Sequence, residues 1–222
     1  LFRWQNIGRL LALSIPIMID KSSLAFSYVW LSKMLAPMGT QAIATFDIIK
    51  NLERSAIMPA GAFAQVITFL VSNRIGAKDY KGAKANIVKV LGLTLLFVSC
   101  ALFILCMYAT PLVARISPTV EITRFAVPLL RLMSLLVVFD FLQLILAGAL
   151  RGAGNFKVVM WTRFVCCMFF FLPISYMLSG CSFSSASTKF GFIYGAFYLN
   201  TAFMGVIFLI CLLRGNWYNK QL

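Results

Sequence analysis

Residues 137–155 read VVFDFLQLILAGALRGAGN. One carboxylate, Asp140, stands among Val137, Val138, Phe139, Phe141, Leu142, Leu144, Ile145 and Leu146. What that charge means depends on the solvent around the segment, and composition decides the solvent. The 222 residues are 61% hydrophobic and only 12% charged, with a mean hydropathy of +0.91. A soluble domain is nearer about 45–50% apolar and about 25% charged. A water-soluble domain of this size has no interior large enough for so much apolar side chain. The chain reads as an integral membrane protein, and its long apolar runs make it all-α.

Working outward, six segments reach the roughly 20 mostly apolar residues that a spanning helix needs, if some interior charges are allowed. They run over 10–35, 41–72, 85–109, 122–150, 156–178 and 190–213. A short, helical piece precedes the fourth, over 111–117. Alternate connections collect Arg3 and Arg9, then Arg74, Lys78, Lys81 and Lys84, then Arg151 and Lys157, then Arg214 and Lys220. The opposite connections hold Arg115 and Lys189, with Arg124 near a helix end. The positive-inside rule therefore places both termini in the cytoplasm. The same rule explains the net charge of +14 without nucleic acid, since the basic residues flank apolar runs and form no block. Six cysteines and no histidine give no set with metal-ligand or disulfide-framework spacing.

Pro16, Pro59, Pro128 and Pro173 fall inside predicted helices, where each removes a backbone donor and favours a kink. Packing geometry and a hinge both account for them. Gly148, Gly152 and Gly154 follow an apolar helix rather than a strand, so they read as close helix packing and a tight turn, not as a phosphate loop.

Four of the six acids lie within predicted helices: Asp20, Asp47, Glu53 and Asp140. A lone charge at mid-bilayer costs about 2.5–3.5 kcal/mol on insertion scales, so each needs a partner or a job. Asp47, Lys50, Glu53 and Arg54 share one stripe of the second helix. Their alternating signs predict i,i+3 pairs of Asp47 with Lys50 and of Lys50 with Glu53; the alternative is a stripe lining an aqueous cleft. Asp20 lies near mid-depth, four residues after Pro16. Asp140 is also near mid-depth, with Gln143, Ala147 and Arg151 on its stripe and no base within a turn of its own helix. Such a carboxylate either carries a proton or holds a cation, unless a polar group of another helix takes it.

Three stretches resemble the multidrug and toxic compound extrusion (MATE) family. They are GTQAIATFDI at 39–48, PAGAFAQVITFLVSNRIGAKDYKGAKA at 59–85, and DFLQLILAGALRGAGN at 140–155. The last is similar to the Asp-x-x-Gln…Gly-x-Leu-Arg-Gly pattern of the sodium-coupled NorM-type branch. FGFIYGAFY at 190–198 and RGNW at 214–217 resemble the last helix of a family lobe. The resemblance implies one six-helix lobe, residues 1–222, of a twelve-helix transporter. The opening at Leu1 and FRWQNIGRLLALSIPI resemble a linker into the second lobe, with the first lobe as the alternative.

The resemblance further implies a non-enzymatic, cation-coupled antiporter, driven by Na⁺ or H⁺, that exports drugs or organic cations by alternating access. Asp140 matches the second-lobe cation carboxylate and would hold Na⁺ in a sodium-coupled member, with no other cofactor. The branch also carries a Glu in the lobe's first helix; the matching position here is Leu24, with Asp20 one turn earlier as a substitute. Gln143 and Asn200 are candidate cavity contacts. The implied partners are the bilayer, small-molecule substrates and the other lobe, and the implied location is a bacterial inner membrane. Two alternatives stand: a lipid-linked oligosaccharide flippase of the same superfamily, favoured if Lys21, Lys33 and Lys50 line the cavity, and a non-transporting structural subunit, favoured by a bundle without a cleft.

Overall fold

A computed structural model describes residues 4–117 and 119–214, with side-chain surroundings from Ser14 onward. Arg3, Lys220 and residues 215–217 of the RGNW stretch lie outside the described residues, as does the side chain of Arg9. The chain forms helices α1 (Trp4–Leu35), α2 (Thr40–Gly76), α3 (Tyr80–Met107), α4 (Ala109–Ile116), α5 (Val120–Gly152), α6 (Phe156–Val165), α7 (Leu172–Gly180) and α8 (Ala186–Leu213). A single 3₁₀ turn, Ala36–Met38, joins α1 to α2, and a π-helical segment, Cys166–Phe171, fuses α6 to α7. No strand occurs among the described residues. Six long helical rods result, close to the six segments expected. Five of them are long and apolar enough to cross a membrane. The first, which carries Asp20, Lys21 and Lys33, is not among those five.

Proline acts differently at its four places. Helices α1, α2 and α5 continue through Pro16, Pro59 and Pro128. Pro173 is the second residue of α7, which follows the π segment directly. A proline has no N–H to close the normal ladder, and a π turn is a common way to absorb that loss. The π segment is tied to α1: Ser27 Oγ lies 2.9 Å from Cys167 Sγ, and that thiol reaches the Ser23 carbonyl at 3.8 Å.

Helix α5 is the hub. Residues 145–150 are buried without interruption, as in a helix that is surrounded rather than amphipathic. In a bilayer, helices gain little from leaving lipid, so close backbone approach by small residues drives their packing. Gly148 shows this directly: a Cβ there would sit 2.6 Å from the Ala64 carbonyl oxygen of α2. A Cβ on Gly152 would collide with the Thr68 carbonyl. Thr68 Oγ1 seals the contact, 2.7 Å from Ala64 O and 2.9 Å from Gly148 O. Exposed apolar residues such as Met58, Phe69, Phe103 and Leu135 cover the outside, as lipid contact demands.

The expected turn after α5 is present. Gly154 has φ +80°, and its N–H and that of Asn155 close onto Arg151 O and Leu150 O at 2.9 and 3.0 Å. This satisfies carbonyls that the helix end leaves free. Helix α2 ends the same way, with Lys78 at φ 58° and Asp79 N–H on Arg74 O at 2.9 Å. Asp79 then caps α3 through Gly82 N–H at 2.8 Å and pairs with Arg74 at 2.8 Å.

Candidate functional site

Asp20, Glu53, Asp140, Arg151 and Arg163 collect in one region bounded by α1, α2, α5, α6 and α8. Asp20 of α1 is 2% exposed and meets two arginines. Arg151 Nη2 at the end of α5 donates to Oδ2 at 2.8 Å, and Arg163 Nη1 of α6 lies 3.0 Å from Oδ1. Arg163 Nη2 also donates to Gln143 Oε1 at 2.8 Å. Gln143 Nε2 in turn donates to Asp140 Oδ1 at 3.1 Å. A polar chain therefore runs from the end of α5 through α1 and α6 back to Asp140.

Asp140 opens into a cavity of ≈ 500 Å³ whose wall includes Glu53, Lys50 and Arg54 of α2, Tyr194 and Tyr198 of α8, Gln143, and Lys21, Leu24 and Tyr28 of α1. Glu53 is buried and accepts hydrogen bonds through Oε2 from Tyr194 at 2.7 Å and Tyr198 at 2.6 Å. Its Oε1 is buried with no hydrogen-bond partner among the described residues. Lys50 Nζ rests over the rings of Tyr28 and Phe46, at 5.2 and 5.3 Å, a cation–π geometry.

Three sequence expectations need correcting. The i,i+3 ion pairs of the α2 stripe do not form. Helical spacing allows them, but two tyrosine hydroxyls take Glu53 and two rings take Lys50, while Asp47 and Arg54 stay exposed without an ion pair among the described residues. The stripe is instead split, with Lys50, Glu53 and Arg54 on the cavity wall. Asp20 is not an unpaired carboxylate, since Arg151 and Arg163 lie 2.8 and 3.0 Å from its two oxygens. Asn200 lies outside the cavity wall; it is fully buried, and both its amide atoms lack partners among the described residues. Gln143 does reach the wall.

Sequence reasoning missed Arg163, Tyr194 and Tyr198. A signal existed for each. Arg163 is the lone charge in VVMWTRFVCCMFFFL, residues 158–172, and a charge so placed needs a partner. Tyr194 and Tyr198 stand i,i+4 on one face of an apolar helix, their hydroxyls 3.5 Å apart.

The model of the MatE family matches residues 16–177, most of the chain. The chain belongs to the MatE family. The multidrug resistance protein NorM of Aliivibrio fischeri is 24% identical over 174 residues, covering 78% of this chain and 38% of that protein. The multidrug resistance protein MdtK of Edwardsiella ictaluri is 20% identical over 176 residues, with 79% and 38% covered. Among solved structures, an outward-facing multidrug resistance MATE family transporter of the MOP superfamily superposes with a TM-score of 0.85 at 11% identity, covering 99% of this chain and 49% of that one. A MOP superfamily transporter from Pyrococcus furiosus gives 0.76 at 19% identity, with 91% and 44% covered. These likenesses show the fold. The chain spans 38% of the length of those curated relatives and about half of the first solved chain, so it accounts for one lobe's worth of the MatE fold in a multi-pass membrane protein.

Proposed function

We propose that this MatE chain is the second six-helix lobe of a twelve-helix exporter in a bacterial inner membrane, with both termini cytoplasmic. In this reading Asp140 binds and releases the coupling cation, Na⁺ or H⁺, and drugs or organic cations leave in exchange by alternating access. The observation that carries the reading is the shared wall of Asp140 and Glu53 in one cavity. Glu53, not Asp20, supplies the second carboxylate. It comes from α2 and shares the cavity wall with Leu24 of α1, and its unpartnered Oε1 is an available oxygen ligand. Oxygen donors of this kind suit a hard monovalent cation as well as a proton.

The multidrug names of the curated relatives support export. The lipid-linked flippase alternative gains less. Lys21, Lys50 and Arg54 line the cavity, but Lys33 rests over Trp30 at 5.3 Å, and two carboxylates, Glu53 and Asp140, offset most of that positive charge. A structural subunit without a cleft does not fit a lobe with this cavity.

The test is Asp140→Asn in the full-length transporter. Ion-driven ethidium efflux is expected to fall to background, with membrane insertion unchanged. Efflux at the unsubstituted rate would sink the coupling role. Running the assay in sodium-free buffer, with and without a proton gradient, assigns the ion.

A further inference from the structure

Asp20 does not need both of its arginines. Arg151 makes the aligned bond to it, at 2.8 Å. Arg163 stands 3.0 Å from Oδ1 without hydrogen-bond alignment: its Nη1 and Nε have no hydrogen-bond partner among the described residues. Among the described residues its guanidinium donates instead to Gln143 Oε1, at 2.8 Å. Arg163 is therefore oriented by Gln143 and merely attracted by Asp20.

The consequence reaches Asp140. A guanidinium only donates, so Gln143 must turn its oxygen to Arg163 and its amide nitrogen to Asp140, as the 3.1 Å bond shows. The neutral amide is thus locked as a donor to Asp140 and relays the field of Arg163 to it. The cluster of two arginines and two aspartates is neutral only while Asp140 is ionised and empty. A cation arriving at Asp140 leaves it with net positive charge. Arg163 is 1% exposed and its charge stays inside the bundle, whereas Arg151 stands at a helix end and keeps some exposure.

We infer that Arg163 is a built-in competitor of the coupling cation, a positioning residue that acts on Asp140 through Gln143 and keeps cation affinity low enough for release. An exchanger needs that release as much as it needs capture. This inference rests on the reading of Asp140 given above.

The experiment measures binding of radiolabelled Na⁺ to the purified full-length transporter without drug. Arg163→Met removes the competing charge while Asp20 keeps Arg151, and Na⁺ is expected to bind about tenfold more tightly, the size expected of one partly screened charge acting through a single intervening side chain. Arg163→Lys is expected to restore most of the unsubstituted affinity. A misfolded or loosened protein does not gain affinity, so tightening separates this role from a structural one. Unchanged or weaker Na⁺ binding in Arg163→Met overturns the inference while leaving Asp140 its role. If the unsubstituted transporter binds no more Na⁺ than Asp140→Asn does, the sodium form of the coupling reading falls and this inference falls with it.

Discussion

Replacing Asp20 with asparagine is expected to destabilise the lobe by about 3–5 kcal/mol, the usual loss when one partner of a buried ion pair is removed. The shape of the side chain is kept and only the charge goes. Arg151 and Arg163 are then left facing each other across a neutral amide. Arg151 can turn towards the membrane surface, since its side chain is 15% exposed and long basic side chains reach for the interface. Arg163 cannot, and the loss concentrates there. Thermal unfolding in detergent, followed with a thiol-reactive dye in a background with Cys100, Cys106, Cys181 and Cys211 replaced by alanine, reads the effect through Cys166 and Cys167, which are free and buried. Combining Asp20→Asn with Arg163→Met is expected to recover part of the loss, because the second change removes the orphaned charge. A melting temperature within about a degree of the unsubstituted protein would show that the ion pairs contribute no stability. The same experiment separates Asp20 from Asp140, whose neutralisation leaves no cation without its hydrogen-bonded partner.

How much of this could be read from the chain depends on the range of the interaction. Helices α2, α3, α5, α6–α7 and α8 are written as apolar runs, and a run of about 20 such residues in a bilayer has one stable backbone state. The stripe of Asp140 and Gln143 is equally local, and the Gly148–Gly152 packing follows from residue size alone. Asp20 is different. Its hydrogen-bonded partner lies 131 positions away, and no periodicity connects Asp20 to Arg151 and Arg163. The failed pairs of the α2 stripe carry the same lesson from the other side. Spacing of i,i+3 gives Lys50 an opportunity worth about 0.2–0.5 kcal/mol, and the rings of Tyr28 and Phe46 compete successfully for it. Glu53 is taken by hydroxyls 141 and 145 positions away. Position Leu24 looked like a gap in a two-carboxylate site; Glu53 of the neighbouring helix lines the same cavity, and in the function proposed above it supplies the second carboxylate.

Gly152→Leu is expected to remove both stability and transport, whereas Gly195→Leu is expected to leave both in place. The two glycines are equal in composition and opposite in surroundings. Around Gly195 nothing beyond its chain neighbours and its own helix backbone lies within 4 Å of where a Cβ would be. At Gly152 the backbone of Thr68 occupies that place, and backbone cannot turn aside as a side chain does. A leucine must push α5 off α2, at a cost of about 1–3 kcal/mol or more for overpacking. It also strains the Thr68 hydroxyl contact with Gly148 one turn away. The functional loss follows from where the two helices carry their carboxylates. Asp140 lies on α5 three turns before Gly152, and Glu53 lies on α2 before Ala64 and Thr68, so this contact sets how far apart the two acids stand in their common cavity. A displacement of about 1 Å is enough to cost on the order of a hundredfold in a pre-organised site. Ethidium efflux and thermal unfolding of the two variants measure this side by side. Full efflux in Gly152→Leu would show that the α2–α5 contact does not position the carboxylates.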